Sequence, residues 1–151
     1  MKRIFTLIPI FAILIFVSSC KDKDNNATPQ PTEMGKILVN YPWNMKNVTD
    51  LSGKIIAENQ LDVVARGLPT MNIEFQTGNK VFARGVSDPQ VVNGGTWYII
   101  EEGKALDIDV SMIKGAFYIE ELSNTKMRLR RKMPVGGVEQ DAIMVFEPVV
   151  K

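Results

Sequence analysis

The sequence contains no histidine and only one cysteine, Cys20, among its 151 residues. Without an imidazole the chain cannot form Ser-His or Cys-His nucleophilic pairs, and it lacks the commonest zinc ligand. A single cysteine excludes an intramolecular disulfide. Glycine-rich phosphate-binding motifs are also missing. We therefore expect no enzyme, with no catalytic residue, no cofactor and no metal site.

Basic and acidic residues are nearly equal in number, 18 against 17. A balance of this kind gives no basic footprint, so we expect no nucleic-acid partner. Asp107 and Asp109 share one face of a predicted strand and could form a carboxylate pair. Such pairs on a solvent-facing strand more often serve as solubilising charges, and we interpret this pair in that way.

The longest apolar run lies at the N-terminus. Lys2-Arg3 precede Ile4–Val17, which is apolar apart from Thr6 and Pro9. The run is shorter than the ~20 residues of a membrane span but matches the core of a secretory signal peptide. It ends in Val17-Ser18-Ser19-Cys20, and small residues before a cysteine resemble the lipobox of bacterial lipoproteins.

The lipobox resemblance implies cleavage before Cys20 and acylation of Cys20, with palmitate among the chains. Several acyl chains would hold the protein on a membrane, which a single chain does only marginally. The alternative is an ordinary signal peptide with a chance cysteine at the cleavage site.

A polar segment follows Cys20 and has no apolar residue larger than alanine before Met34. We predict a signal peptide over 1–19, a lipidated N-terminus and flexible tether over 20–34, and one folded domain over 35–151. Lys21 stands where an aspartate would resemble an inner-membrane retention signal, which favours the outer membrane. The run Lys21-Asp22-Lys23-Asp24 resembles a surface-export signal but fits a solvated linker equally well. The periplasmic and surface faces therefore both stay open.

The folded region shows the period-two alternation typical of β-strands, and turn residues recur every eight to twelve positions. This pattern is typical of an antiparallel meander. The predicted strands are Ile37–Trp43, Thr70–Gln76, Lys80–Val86, Thr96–Ile100, Ala105–Val110, Ala116–Glu120, Lys126–Arg131 and Ala142–Phe146. Turns are predicted at Thr77-Gly78-Asn79 and Pro134–Gly137.

A helix is predicted within Ser52–Arg66. Leu61, Val64, Ala65 and Leu68 have the spacing of one helical face. Asp50 or Ser52 would cap its start, Gly67 would take the C′ position, and Pro69 would prevent its continuation. The rival interpretation is two short strands, at Ile55-Ile56 and Val63-Val64.

About eight antiparallel strands in one small domain favour closure into a barrel, which removes exposed sheet edges. The segments Tyr41-Pro42-Trp43, Gly95-Thr96-Trp97, Leu106-Asp107-Ile108 and Tyr118–Leu122 resemble the lipocalin-like lipoproteins of Bacteroidetes. The resemblance covers roughly Lys36 to Val150. It implies an all-β, lipocalin-like barrel on the cell envelope, with no catalytic residue to carry over.

Two functions from different classes follow. In the first, the barrel binds a small apolar or amphipathic ligand. In the second, a filled barrel binds protein or glycan through its outer face. Candidate ligand-lining residues are Trp43, Trp97, Ile99, Leu106, Ile108, Phe117 and Met127. They are equally suited to a plain hydrophobic core.

Arg128, Arg130 and Arg131 are the candidate surface patch for an anion or an acidic glycan. The alternative for Arg128 and Arg130 is a solvated barrel exterior with cross-strand ion pairs to Asp107 and Asp109. Tyr98 and Ile100 are out of phase with the core residues of their strand and could form an exposed contact surface. The sequence leaves the ligand, the partner and the oligomeric state open.

Overall fold

The computed structural model describes residues 33–88, 90–110 and 113–150. Eight antiparallel strands form a closed barrel in which each strand pairs with the next, and the last pairs with the first. The all-β, eight-stranded barrel predicted from the sequence is confirmed. The strands are β1 Trp43–Thr49, β2 Met71–Gln76, β3 Lys80–Gly85, β4 Val91–Ile100, β5 Ala105–Val110, β6 Ile113–Leu122, β7 Met127–Val135 and β8 Val138–Pro148.

Short helical segments complete the described part of the chain. They are α1 Glu33–Asn40, α2 Val63–Gly67, and 3-10 turns at Glu58–Gln60, Leu68–Thr70 and Glu101–Gly103. None of these helices is long and apolar enough to cross a membrane. The predicted signal peptide, Cys20 and nearly all of the predicted tether lie outside the described residues.

The alternation predicted for the central strands is confirmed. The residues expected to face inward are buried or, for Ile99 and Ile119, half-buried against the core; the buried ones are Trp97, Leu106, Ile108, Phe117, Met127 and Leu129. Asp109 is exposed, and Asp107, Arg128 and Arg130 are half-buried on the opposite face. A one-residue slip would move these charges into the apolar interior at a large desolvation cost, which fixes the register.

The hairpin between β7 and β8 is longer than predicted. Val135 pairs with Val138, so the turn consists of Gly136 and Gly137 alone. Their φ angles of 61° and 83° are those of a two-residue turn that requires glycine-like backbone freedom. Pro134 therefore belongs to β7 rather than to a loop.

The prediction of a first strand over Ile37–Trp43 is wrong. Most of that segment is the helix α1, and β1 begins only at Trp43. A short run of apolar residues fits a buried helix as well as a strand, because periodicity does not separate the two over so few positions. Here Gly35 and Leu38, three residues apart, are the buried face of the helix. The indole Nε1 of Trp43 donates a 3.0 Å hydrogen bond to the Leu38 carbonyl, which fastens α1 to the barrel.

The predicted helix after the first strand is present, but it is shorter and capped differently. Asp62, and neither Asp50 nor Ser52, is the N-cap of α2, and its carboxylate accepts a 2.7 Å hydrogen bond from the Ala65 amide. The backbone of Gly67 is in the right-handed helical region, with φ −76°, so Gly67 is not the left-handed C′ residue that was predicted. Pro69 is the second residue of the 3-10 turn Leu68–Thr70, which leads the chain into β2.

The two helices lie at opposite ends of the barrel. α1 contacts β2 and leads into the start of β1, at the end that carries the turns after β2, β4 and β6. The segment leading to α2 is fastened at the other end, where Leu61 bridges Val135 and the Gln60 carbonyl accepts from the Gly136 amide at 2.8 Å. Between them lies one hydrophobic cluster, to which Leu38 contributes from α1 and Ala65 from α2.

Candidate functional site

The candidate ligand-lining residues lie in the barrel core. Trp43, Leu106 and Phe117 have no exposed surface, and Trp97 is 7% exposed. Ile108 and Met127 are buried in the same cluster, and Ile99 packs against it. The barrel brings all of these side chains into one apolar interior.

Both tryptophans have hydrogen-bond partners inside the protein. Trp97 Nε1 donates to the Gln76 carbonyl at 3.1 Å, and the Trp97 ring meets Phe75 edge-on with ring centroids 5.7 Å apart. Trp43 Nε1 is occupied by the Leu38 carbonyl. Because buried indole N–H groups need a partner, these bonds position both rings as part of the core.

The three candidate patch arginines do not form one surface. β7 alternates, so Arg128 and Arg130 face outward whereas Arg131 falls in phase with the buried Leu129 and Met133. The guanidinium of Arg131 stacks over the ring of Phe117, with Cζ 4.9 Å from its centroid. The three arginines are neighbours in the chain, but the alternation of β7 places Arg131 on the opposite face from Arg128 and Arg130.

The predicted ion pairs between these arginines and Asp107 or Asp109 are wrong. β6 lies between β5 and β7, so carboxylates on β5 cannot face the arginines of β7. Arg130 instead donates through Nε to Glu120, and its Nη1 lies 3.6 Å from Asp141. The hydrogen bond to Glu120 raises the pKa of Arg130 above its usual value. Asp109 pairs with Lys114 at 3.0 Å.

Two exposed tyrosines mark the outer face of this part of the barrel. Tyr98 on β4 is 44% exposed and Tyr118 on β6 is 45% exposed, while Ile100 is half-buried. Arg130 lies over the Tyr118 ring, with Cζ 4.8 Å from the ring centroid. The predicted exposure is thus confirmed for Tyr98 but not for Ile100, and the second exposed aromatic residue, Tyr118, lies two strands away on β6.

A cleft of about 310 Å³ opens beside α2, at the end of the barrel that carries the β7–β8 turn. Its apolar lining comes from α2 and the following turn and from the inner face of β6, β7 and β8: Val64, Ala65, Leu68, Ile113, Phe117, Met133 and Met144. Phe117 is the candidate ligand-lining residue that also lines this cleft. Phe117 has no exposed surface of its own, so it forms the buried floor of the cleft at the barrel core.

Charged side chains surround the apolar lining of this cleft. Lys114, Arg131 and Lys132 contribute positive charge, and Asp62 and Glu139 contribute negative charge. The Asp62 carboxylate is already engaged as the N-cap of α2. An apolar cavity with a few polar groups at its mouth is the usual form of a small-molecule site.

A second, wider cleft of about 410 Å³ lies at the α1 end, between residues 39–42 and residues 74–77. It is more open, and Glu74 and Gln76 give it a polar wall on β2. Phe75 is its link to the buried core. Of the two clefts, the one beside α2 combines an apolar lining with cationic groups.

Neither the inward position of Arg131 nor the role of α2 as one wall of a cleft was predicted from the sequence. The first could have been found, because Met127, Leu129, Arg131 and Met133 recur at every second position. The second depends on how the chain packs across the barrel end, which no local pattern encodes.

Within the described ranges, no group of three or more acidic or cysteine side chains is placed to hold a metal ion. The sequence matches no protein-family model. A search of curated proteins found no match either.

Proposed function

We propose that this protein is a lipid-anchored binding protein of the cell envelope, with a lipocalin-like barrel that takes a small apolar or amphipathic ligand. The cleft beside α2 is the observation that carries the proposal. There the buried side chains of Phe117, Met133 and Met144 form the floor of a cleft that opens to solvent. A volume of about 310 Å³ is at the lower end of the ~300–1,000 Å³ range of small-ligand sites.

In this proposal the anchor is the acylated Cys20, and the protein is located at the outer membrane. Support comes from the order of Lys2-Arg3, the apolar run and Cys20, which resembles that of bacterial lipoproteins. Cys20→Ser should release the protein from membranes or leave it unprocessed, because the acyl chains that hold it are lost. Detergent-phase separation measures this, and unchanged partitioning would refute the anchor.

The proposal assigns binding and no catalytic step. Histidine is absent from the sequence, and Cys20 is assigned to the anchor. The carboxylate of Asp109, one member of the possible acidic pair, is bound to Lys114. Of the two carboxylates that line the cleft, Asp62 is engaged as the N-cap of α2 and leaves Glu139 without a carboxylate partner for acid–base work.

Native mass spectrometry of the full chain, released from detergent micelles, tests the binding role. We expect a copurified small-molecule adduct on the wild-type protein. Val64→Trp should remove it, because Val64 lines the cleft and the larger side chain would occupy it. Val63→Trp is the matched control, since Val63 is the neighbouring residue on α2, is 74% exposed and does not line the cleft.

A filled barrel that binds a partner through its outer face is the second candidate. The exposed Tyr98 and Tyr118 favour it, because aromatic rings flanked by charged groups can stack on sugar rings. If the Val64→Trp and wild-type proteins are alike and neither carries an adduct, this second function replaces the first. Loss of glycan binding on an array after Tyr98→Ser and Tyr118→Ser would then support it.

A further inference from the structure

Arg131 is a charged residue at an inward position of the barrel. Along β7 the buried residues Leu129, Met133 and Val135 share its phase. Placing a guanidinium among apolar neighbours is costly unless the charge finds partners. The side chain is half-buried, lies over the fully buried Phe117 ring and lines the cleft beside α2.

The protein supplies Arg131 with neutral partners. Its Nη1 donates to the Lys114 carbonyl at 3.1 Å, and its Nε donates to the Lys132 carbonyl at 3.2 Å. In the described part of the chain no carboxylate lies within salt-bridge distance of it, whereas Arg130 one position earlier has both Glu120 and Asp141. A guanidinium carries five N–H donors, so Arg131 keeps donors for a further acceptor.

The surroundings of Arg131 are apolar on one side and charged on the other. On one side are apolar side chains of the core, and on the other is the solvent-facing mouth, with Lys114, Lys132, Asp62 and Glu139. The carboxylate of Asp62 is engaged as the α2 N-cap, and Lys114 pairs with Asp109 outside the cleft, so Lys132 and Glu139 are the other charges beside Arg131. The two hydrogen bonds and the stacking on Phe117 hold the guanidinium at this boundary, so its position needs no rearrangement when an anion arrives. The planar guanidinium can donate two parallel hydrogen bonds to the two oxygens of a carboxylate.

We infer that Arg131 binds the headgroup of the ligand, and that the ligand is a single-chain amphiphile with a carboxylate head and an apolar tail. The tail lies against Phe117, Met133 and Met144, and the head meets the guanidinium at the mouth. This inference rests on the proposed function, and it specifies the charge of the molecule that the cleft accepts.

The test compares three probes of equal chain length: octanoate, octanol and octylammonium. Each is titrated by calorimetry into the full chain held in nanodiscs, with empty nanodiscs as the blank. A charge-assisted contact predicts that octanoate binds about 10- to 100-fold more tightly than octanol, with octylammonium the weakest. Arg131→Gln should remove the preference for octanoate, and Arg131→Lys should restore part of it. Arg128→Gln, an outward arginine on the same strand, is the control and should keep the preference.

The outcomes separate the headgroup inference from the proposed function. If octanol binds as tightly as octanoate, or if Arg131→Gln keeps the preference for octanoate, the cleft binds a ligand but Arg131 does not select for a negatively charged headgroup. If none of the three probes binds the wild-type protein, the proposed function fails and the inference fails with it. The comparison of probes on the wild-type protein stands even if Arg131→Gln does not fold.

Discussion

At the scale of single residues, two neighbouring glycines of β4 show how tightly the sheet constrains its members. A methyl group placed on Gly95 would lie 1.8 Å from the Asp109 carbonyl oxygen, a backbone atom of β5. On Gly94 the nearest atom would be Phe82 Cε1 at 3.1 Å, the edge of a ring that can rotate. The two positions therefore differ in what must move to admit a side chain.

We expect Gly95→Ala to lower the free energy of unfolding by about 3 kcal/mol or more, because β4 and β5 would have to separate. Gly94→Ala is the matched control, and its cost should stay below about 1 kcal/mol, since a shift of the Phe82 ring relieves the contact. Urea unfolding of both variants, followed by tryptophan fluorescence, measures the difference. Equal midpoints would contradict the close approach of β4 and β5.

Asp50 gives a prediction on pH. Its carboxylate accepts hydrogen bonds from the Ser52 hydroxyl at 2.6 Å and from the amides of Ser52 and Lys54, and these bonds lower its pKa below 3.8. A lowered pKa in the folded state stabilises the fold above pH 3.8, and this contribution is lost as the pH falls through the folded value. The melting temperatures of wild type and Asp50→Ala should therefore differ at neutral pH and converge in acid.

Ser52→Ala is the companion variant for the Asp50 prediction. The Ser52 hydroxyl is the largest cause of the lowered pKa, so removing it should move the pKa of Asp50 up toward 3.8. Carboxyl carbon shifts in an NMR titration report this directly. An unchanged pKa in Ser52→Ala would show that the backbone amides alone set it.

At the scale of elements, α2 is a helix of five residues whose start depends on one side chain. Asp62 accepts from the Ala65 amide, and Arg66 continues with a backbone hydrogen bond to the Asp62 carbonyl. A helix this short is not stable by itself, so its cap and its contacts with the barrel decide whether it forms. Because α2 forms one wall of the cleft, its stability bears on the proposed binding as well.

We expect Asp62→Ala to destabilise α2 by about 0.5–2 kcal/mol through loss of the cap, and Asp62→Asn to retain most of the stability. Hydrogen exchange of the Ala65 amide is the sensitive measurement, since that group loses its acceptor. Faster exchange at Ala65 in Asp62→Ala than in Asp62→Asn is the expected result. Identical rates would mean that packing of Ala65 and Leu68 on the barrel holds the helix without the cap.

The elements also show what local sequence can and cannot predict. The bounds of β5 were predicted to the residue, because Ala105–Val110 alternates without interruption between two turns. The α1 segment was predicted as a strand, because Ile37-Leu38-Val39 has no period of its own and its burial is decided by the barrel end it covers. Arg131 is an intermediate case. Its inward position follows from the alternation of β7, but the arginines beside it in the chain suggested a surface patch.

At the scale of the whole molecule, the pairing between β1 and β2 is the shortest in the closed barrel. β1 pairs with β8 along almost its full length but with β2 only at Trp43 and Asn44. Beyond that point the 3-10 turn Leu68–Thr70 contacts β1, close to α2 in the chain. The α1 end of the barrel thus has Leu38 in the core and the wider cleft between residues 39–42 and 74–77, and the other end has the cleft beside α2.

Leu106 distinguishes a ligand in the barrel centre from a ligand in the cleft. It is fully buried, pairs with Ile99 and Phe117 on the flanking strands, and is the second residue of β5, next to the turn at the α1 end. Leu106→Trp should overpack this interior and lower the free energy of unfolding by about 1–3 kcal/mol. Octanoate binding to the folded variant should persist, because the cleft beside α2 is lined by other residues. Urea unfolding and calorimetry on the same preparation measure both quantities. Unchanged stability together with loss of binding would instead place the ligand in a hollow barrel centre, and the cleft beside α2 would then be no more than its entrance.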